Sequence, residues 1–136
     1  MRVLFLCSSN IFRSQMAEAF FNKYSKQNHA ESAALIKPQD KMHALVVRAM
    51  EERGINISNN KSKMISKDMV NEADLIVLMS KNLADYAKLI SKRIEIWDIP
   101  DVIAKETDEH LYLEFIKTRE IIEGKVRELI NILEDT

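Results

Sequence analysis

Cys7 and Arg13 are the two residues whose types and spacing could do chemistry together. Five residues separate them and Ser14 follows directly, so the segment reads Cys-Ser-Ser-Asn-Ile-Phe-Arg-Ser. A cysteine thiolate is a nucleophile, and the planar guanidinium of arginine can hold two oxygens of a tetrahedral oxyanion. The serine hydroxyl can donate to the thiolate or, later, to the departing sulfur. The segment therefore has the parts needed for attack by a thiolate on a bound oxyanion.

The sequence around this segment predicts a strand, a loop and a helix. Residues 3–7 are a short apolar run, which is typical of a buried parallel strand. From Arg13 onward the spacing is helical, with Met16, Phe20 and Tyr24 on one face. A loop that turns from a strand into a helix directs several backbone N–H groups at one point, where the helix dipole also favours an anion. A cysteine at the start of this loop lies in the same positive field, which favours its thiolate.

Taken singly, a cysteine at a strand end is usually a small buried hydrophobe, and an arginine at a helix start is usually solvated. The joint pattern favours an anion site instead, because successive loop N–H groups can form a concave nest. Asn10 is a residue type that tolerates a left-handed backbone, and its amide can tie the loop to a neighbour. The candidate residues for oxyanion binding and loop support are Ser8, Ser9, Asn10, Ile11, Phe12 and Ser14.

Aromatic and apolar side chains give a second set of candidates, for a cleft that accepts an aromatic ring. Ile11 and Phe12 are the better candidates because they belong to the loop itself. Trp97 and Tyr112 are more typical of core packing.

The rest of the chain alternates strands and helices. We predict further strands at 30–35, 75–79 and 94–99, and helices at 42–50, 67–73, 82–90 and 115–133. Gly54 is in a position suited to a left-handed cap after the second helix. This alternation predicts an α/β fold: one domain over residues 1–136, with a mainly parallel four-stranded sheet and helices on both faces. Ligands of such sheets bind beyond the carboxyl ends of the strands, and the first strand ends at Cys7.

Composition narrows the class of protein. The 20 basic and 21 acidic residues give a net charge of -1, which offers no support for a nucleic-acid or membrane-surface role. The single cysteine excludes an intrachain disulfide, and we expect a cytoplasmic protein. The three histidines have no spacing typical of a metal site, so we predict neither metal nor cofactor.

The pattern of strand, Cys, five residues, Arg, Ser and helix resembles the phosphate loop of cysteine-dependent phosphatases. Its position at the start of the sequence is similar to that in the low-molecular-weight protein tyrosine phosphatases, and equally in the arsenate reductases that share their fold. Residues 13–20, Arg-Ser-Gln-Met-Ala-Glu-Ala-Phe, are especially similar to the reductase branch. The resemblance continues at residues 31–34, 54–58, 73–79 and 97–101, so it covers nearly the whole chain. It implies the phosphotyrosine phosphatase I-like fold.

The resemblance also implies roles for individual residues. Cys7 would be the nucleophile, and Arg13 would bind the oxyanion and stabilise the transition state. Ser14 would support the thiolate. Asn10 would brace the loop through the hydroxyl of Ser32.

A carboxylic acid can protonate the leaving oxygen of a phosphate ester and then act as base on the attacking water. In the family this acid is an aspartate followed by proline, in a late loop before the last helix. Asp101 matches by position, but Val102 stands where the proline is expected, and Asp98 is the alternative acid. The chain also departs from the family pattern at Phe12, where many members have a second cysteine, and at Ser9, where phosphatases usually have glycine.

Three functions use the same predicted pocket. The first is a phosphatase acting on phosphotyrosine proteins or small aryl phosphates, with phosphate, vanadate or arsenate as ligands. The second is an arsenate reductase, which would need an external thiol donor because no cysteine follows Cys7. The third is a non-catalytic oxyanion-binding protein. The cysteine count favours the phosphatase.

Overall fold

Four parallel strands form the central sheet: β1 (Arg2–Cys7), β2 (His29–Ala34), β3 (Leu75–Leu78) and β4 (Ile94–Ile96). Their order in the sheet is β2-β1-β3-β4. The computed structural model describes residues 1–134; residues 135 and 136, which the predicted domain includes, lie outside the described residues. The helices are α1 (Arg13–Tyr24), α2 (Ala44–Glu51), α3 (Lys67–Glu72) and α4 (Asp108–Glu134), and a 3₁₀ segment spans Lys81–Leu89.

Helical segments cover both faces of the sheet, which explains why residues 3–7 are apolar without alternation. Val3, Phe5 and Cys7 point to a core shared with α1, α2 and α4. Leu4 and Leu6 point to a smaller core, shared with α3 and the 3₁₀ segment. The predicted α/β fold with a parallel four-stranded sheet is therefore confirmed.

Three predicted elements differ from the observed ones, and the first is the last helix, which begins at Asp108 instead of residue 115. The strand predicted at 94–99 ends at Ile96, because Ile96 pairs with Leu78 and β3 ends there. The helix predicted at 82–90 is the 3₁₀ segment, in which Leu83 is the buried residue. Tertiary packing supplies most of the stability of an α-helix, and this segment has little of it. Gly54 has φ +74°, the left-handed conformation expected after the second helix.

The strand order places β1 between β2 and β3, so connections leave β1 in opposite directions along the sheet. The carboxyl end of β1 is therefore the topological switch point, where open α/β sheets bind their ligands. The loop that follows Cys7 begins at this point. Within residues 1–134, no helix is long and apolar enough to cross a membrane.

Candidate active site

The loop between β1 and α1 curls around the sulfur of Cys7. The backbone N–H of Asn10 donates to Cys7 Sγ over 3.3 Å, and Ser14 Oγ lies 2.9 Å from the same sulfur. Asn10 has φ 57°, a left-handed conformation that asparagine adopts more readily than most residues. Phe12, the N-cap of α1, has no side-chain acceptor to occupy the first N–H groups of the helix. The loop thus combines a hydrogen-bonded sulfur with a helix start suited to an anion.

The side chain of Asn10 links this loop to α1 and β2. It is completely buried, and its Nδ2 donates to Ser14 Oγ over 2.8 Å and to Ser32 Oγ over 2.9 Å. Ser32 Oγ in turn donates to Glu18 Oε1 over 3.2 Å. Burial is the main cause that raises the pKa of Glu18, although Lys63 opposes it. A continuous chain of contacts therefore runs from the sulfur to a half-buried carboxyl group.

Gln15 is a supporting residue that the sequence did not single out. It is 2% exposed, and its Nε2 lies within hydrogen-bonding distance of Asn10 O (3.2 Å), Asn10 Oδ1 (3.3 Å) and Lys61 O (3.3 Å). Its Oε1 accepts from Asn60 Nδ2 over 3.1 Å. Gln15 therefore ties the loop after β1 to residues 60–61. A long amide in the first turn after the loop was the only indication in the sequence.

Arg13 and Asp101 meet across the opening above Cys7. Arg13 is 7% exposed, and its Nη1 donates to the carbonyl oxygen of Ile99 over 2.9 Å. Its Nη2 lies 3.8 Å from Asp101 Oδ2, and the Asp101 side chain is 70% exposed. Asp98 instead forms an ion pair with Lys81 at 3.5 Å. Asp101 belongs to the lining of the cleft described next, and Asp98 does not.

Cys7, Arg13 and Asp101 line a cleft of about 280 Å³. The loop from Cys7 to Arg13 forms its floor, and Asp101, Val102 and Ala104 form one side. An apolar wall follows, in which the rings of Phe12 and Phe115 meet edge to face with centroids 4.7 Å apart. His43, the N-cap of α2, packs its ring 5.0 Å from that of Phe115. The cleft therefore combines the polar loop with an adjoining aromatic surface.

The remaining predicted residues lie outside the cleft. Ser14 and Ser32 are fully buried and support the loop from behind. Trp97 and Tyr112 are buried in the core, and the ring of Trp97 packs 5.6 Å from that of Phe5. In the described part of the chain, no three His, Cys, Asp or Glu side chains are grouped as a metal site requires.

Comparisons with known proteins bear on the family and the fold of this chain. The model of the family described as low molecular weight phosphotyrosine protein phosphatase matches residues 2–136. An arsenate reductase of Bacillus subtilis is 33% identical over 129 residues, which cover 93% of this chain and 92% of the relative. Among solved structures, a low-molecular-weight protein tyrosine phosphatase from T. tengcongensis is 27% identical, with a TM-score of 0.84 and coverage of 96% and 98%. An arsenate reductase from Archaeoglobus fulgidus is 26% identical, with a TM-score of 0.74 and coverage of 95% and 98%.

Proposed function

This chain belongs to the low-molecular-weight phosphotyrosine protein phosphatase family, and from that premise we propose that it hydrolyses phosphotyrosine or aryl phosphate monoesters through a phosphocysteine intermediate. One observation carries the proposal. The sulfur of Cys7 accepts from Asn10 N–H and contacts Ser14 Oγ at the floor of a cleft whose opening holds both Arg13 and Asp101. In this proposal, Cys7 as nucleophile, Arg13 as oxyanion-binding residue and Asp101 as acid act on one phosphoryl group in the cleft.

In the first step, the loop N–H groups and the guanidinium of Arg13 bind the phosphoryl oxygens. The thiolate of Cys7 attacks phosphorus in line, so the S–P bond forms as the bond to the leaving oxygen breaks. Catalysis at this step is mainly positioning and stabilisation of charge on the phosphoryl oxygens. Arg13 suits this role because the Ile99 carbonyl holds one of its nitrogens while the other faces the opening. In this proposal, Arg13 and the backbone amides stabilise the charge on the phosphoryl oxygens, a role that a metal ion has in other enzymes.

Asp101 supplies the proton that the leaving oxygen takes up. Its carboxylate then accepts a proton from the water that attacks the phosphocysteine, and inorganic phosphate and the free thiolate are released. The exposed position of Asp101 beside the cleft gives it access to both the leaving group and water. The carboxylate of Asp98 pairs with Lys81 and does not line the cleft, so it has no comparable access to the leaving group.

The apolar wall indicates the kind of leaving group. Phe12 and Phe115 form an aromatic surface beside the anion site, and Ile11 also lines the cleft. A phenol such as that of tyrosine can pack on this surface while its phosphoryl group sits on the floor. Aliphatic phosphates would leave this surface without a partner.

Arsenate reduction is the second candidate, and the 33% identity to an arsenate reductase is the observation that favours it. Cys7 would attack arsenate and displace water, and an external thiol would then attack the Cys7 sulfur. That attack would form a mixed disulfide and release arsenite, and a second external thiol would regenerate Cys7. Both reducing thiols must come from outside, because the chain has one cysteine.

A parallel assay tests the proposal. Purified protein is given an aryl phosphate and phosphotyrosine in one set of reactions, and arsenate with glutathione or a thioredoxin system in another. We expect hydrolysis in the first set and little arsenite in the second. Arsenite production without ester hydrolysis would replace the phosphatase by the reductase. If wild type gives no turnover above that of a Cys7→Ala variant in either set, both enzymatic functions are contradicted and a non-catalytic oxyanion-binding protein is left.

A further inference from the structure

Exposed lysines lie on two segments that are hydrogen-bonded to the loop of the proposed active site. Residues 35–43 run from the phosphate loop to the N-cap of α2. At one end the backbone N–H of Lys37 donates to the carbonyl oxygen of Ser8 over 3.1 Å, and at the other end His43 lines the cleft. Lys37 and Lys41 are exposed along this path. Two ammonium groups are therefore carried by a segment that is attached to the cleft at both ends.

A second segment that is hydrogen-bonded to the same loop carries another lysine. Ser62 Oγ donates to the carbonyl oxygen of Ser9 over 2.6 Å, and the exposed Lys61 directly precedes Ser62. The two segments are joined to each other, because the N–H of Gln39 donates to Ser62 Oγ over 3.2 Å. We call Lys37, Lys41 and Lys61 the lysine rim.

The charge of the lysine rim is not neutralised locally. Within residues 1–134, none of its three ammonium groups forms an ion pair or a hydrogen bond with another residue. Asp40 is the one acidic residue in residues 36–41 and 59–63. Lys63 is nearby, but its charge acts on the half-buried Glu18, so it is not counted in the rim. In a chain of net charge -1, this is a local excess of positive charge.

The surroundings of the cleft are therefore not uniform. Ser8 and Ser9 are hydrogen-bonded to the segments that carry the lysine rim, whereas Asp101 and Phe115 line other parts of the cleft. A phosphotyrosine whose ring packs on Phe115 leaves the rest of its peptide chain free to extend over the lysines. Carboxylates on that chain would meet positive charge there.

We propose that the lysine rim binds an acidic segment next to the phosphorylated residue of a protein substrate. This inference rests on the proposed phosphatase function and adds the chemistry of the substrate's flanking sequence. Exposed ion pairs are individually weak, so two or three of them should change kcat/KM by about three- to tenfold. Charges at the edge of a binding site act mainly on the association rate, and salt screens them. The preference in kcat/KM for an acidic substrate should therefore shrink as the salt concentration rises.

The test uses pairs of phosphotyrosine peptides that differ only in flanking residues, Asp and Glu in one and Asn and Gln in the other. The measured quantity is the ratio of kcat/KM for the acidic peptide to that for the neutral one. Wild type is compared with a Lys37→Gln, Lys41→Gln, Lys61→Gln variant. The control variant carries Lys26→Gln, Lys88→Gln and Lys92→Gln, the same change of charge on lysines that precede β2 and β4 at the other end of the sheet. An unflanked aryl phosphate reports the wild-type chemistry itself.

The expected result is a ratio of about three to ten for wild type and the control variant at low salt, and near one for the rim variant. A wild-type ratio near one, with the aryl phosphate still hydrolysed, would overturn the role of the rim and leave the phosphatase standing. Equal loss of the ratio in both variants would also overturn it, because net charge alone would then explain the preference. Failure of wild type to hydrolyse any of the phosphate esters would overturn both proposals.

Discussion

Replacing Asp101 by asparagine removes the proposed acid while keeping the shape of the side chain. The carboxylate lies 3.8 Å from Arg13 Nη2 and its side chain is 70% exposed, so the ion pair adds little to folding. The variant should therefore fold like wild type. The effect should appear in the chemistry and depend on the leaving group.

The size of the effect follows from the exposure of the carboxylate. General acid catalysis is commonly worth about a hundred- to ten-thousand-fold. Because water reaches the site of Asp101, it can partly replace the lost proton donor, and we expect a value near the lower limit. A hundredfold loss in kcat for phosphotyrosine corresponds to about 2.7 kcal/mol in the activation free energy. An activated aryl phosphate, whose phenol leaves readily as the anion, should be affected much less.

The assay compares kcat for phosphotyrosine and for a nitrophenyl phosphate in wild type, Asp101→Asn and Asp98→Asn. Asp98 is the matched control, because its side chain is similarly exposed, at 64%, but pairs with Lys81. It should behave nearly like wild type. If the two variants exchange behaviour, Asp98 is the acid. If neither depends on the leaving group, acid catalysis of ester cleavage is refuted and the reductase becomes the better candidate.

Three further predictions concern the support of the site. Arg13→Lys keeps the charge but loses the guanidinium fork and the bond to the Ile99 carbonyl. We therefore expect kcat to fall by at least about a hundredfold. Near-normal turnover would show that Arg13 does not bind the phosphoryl oxygens in the transition state. Gln15→Leu should lower the free energy of unfolding in urea by about 1–3 kcal/mol, because buried groups of the loop lose a partner, and an unchanged midpoint would contradict this. Burial raises the pKa of Glu18, so its ionisation opposes folding; Glu18→Gln should gain stability over wild type as pH rises above the ordinary carboxyl value of 4.5 and show no gain in acid. A pH-independent difference would refute that account of Glu18.

The features that could be predicted best are those formed by residues close together in the sequence. The apolar run of residues 3–7, the loop and α1 form one continuous pattern, and the structure contains that strand, loop and helix in the same order. The left-handed backbone of Gly54 likewise follows from its position after a helical pattern. The contact between Asn10 and Ser32, 22 residues apart, was predicted from the family resemblance, and periodicity alone gave no reason for it.

Non-local features could not be predicted in this way. The contact between Gln15 and Lys61 joins residues 46 positions apart, and no periodicity marks either of them. His43 enters the cleft because α2 begins directly after it. The end of β4 at Ile96 depends on where β3 ends, which the residues of β4 do not encode.

The central claim is that Cys7 attacks phosphorus and carries the phosphoryl group. Rapid mixing with a substrate labelled in its phosphoryl group, followed by an acid quench and peptide mapping, tests it directly. We expect label on the peptide that contains Cys7, as a phosphocysteine that forms and decays during turnover, and neither label nor turnover in Cys7→Ala. Label on any other residue, or hydrolysis that persists in Cys7→Ala, would contradict it.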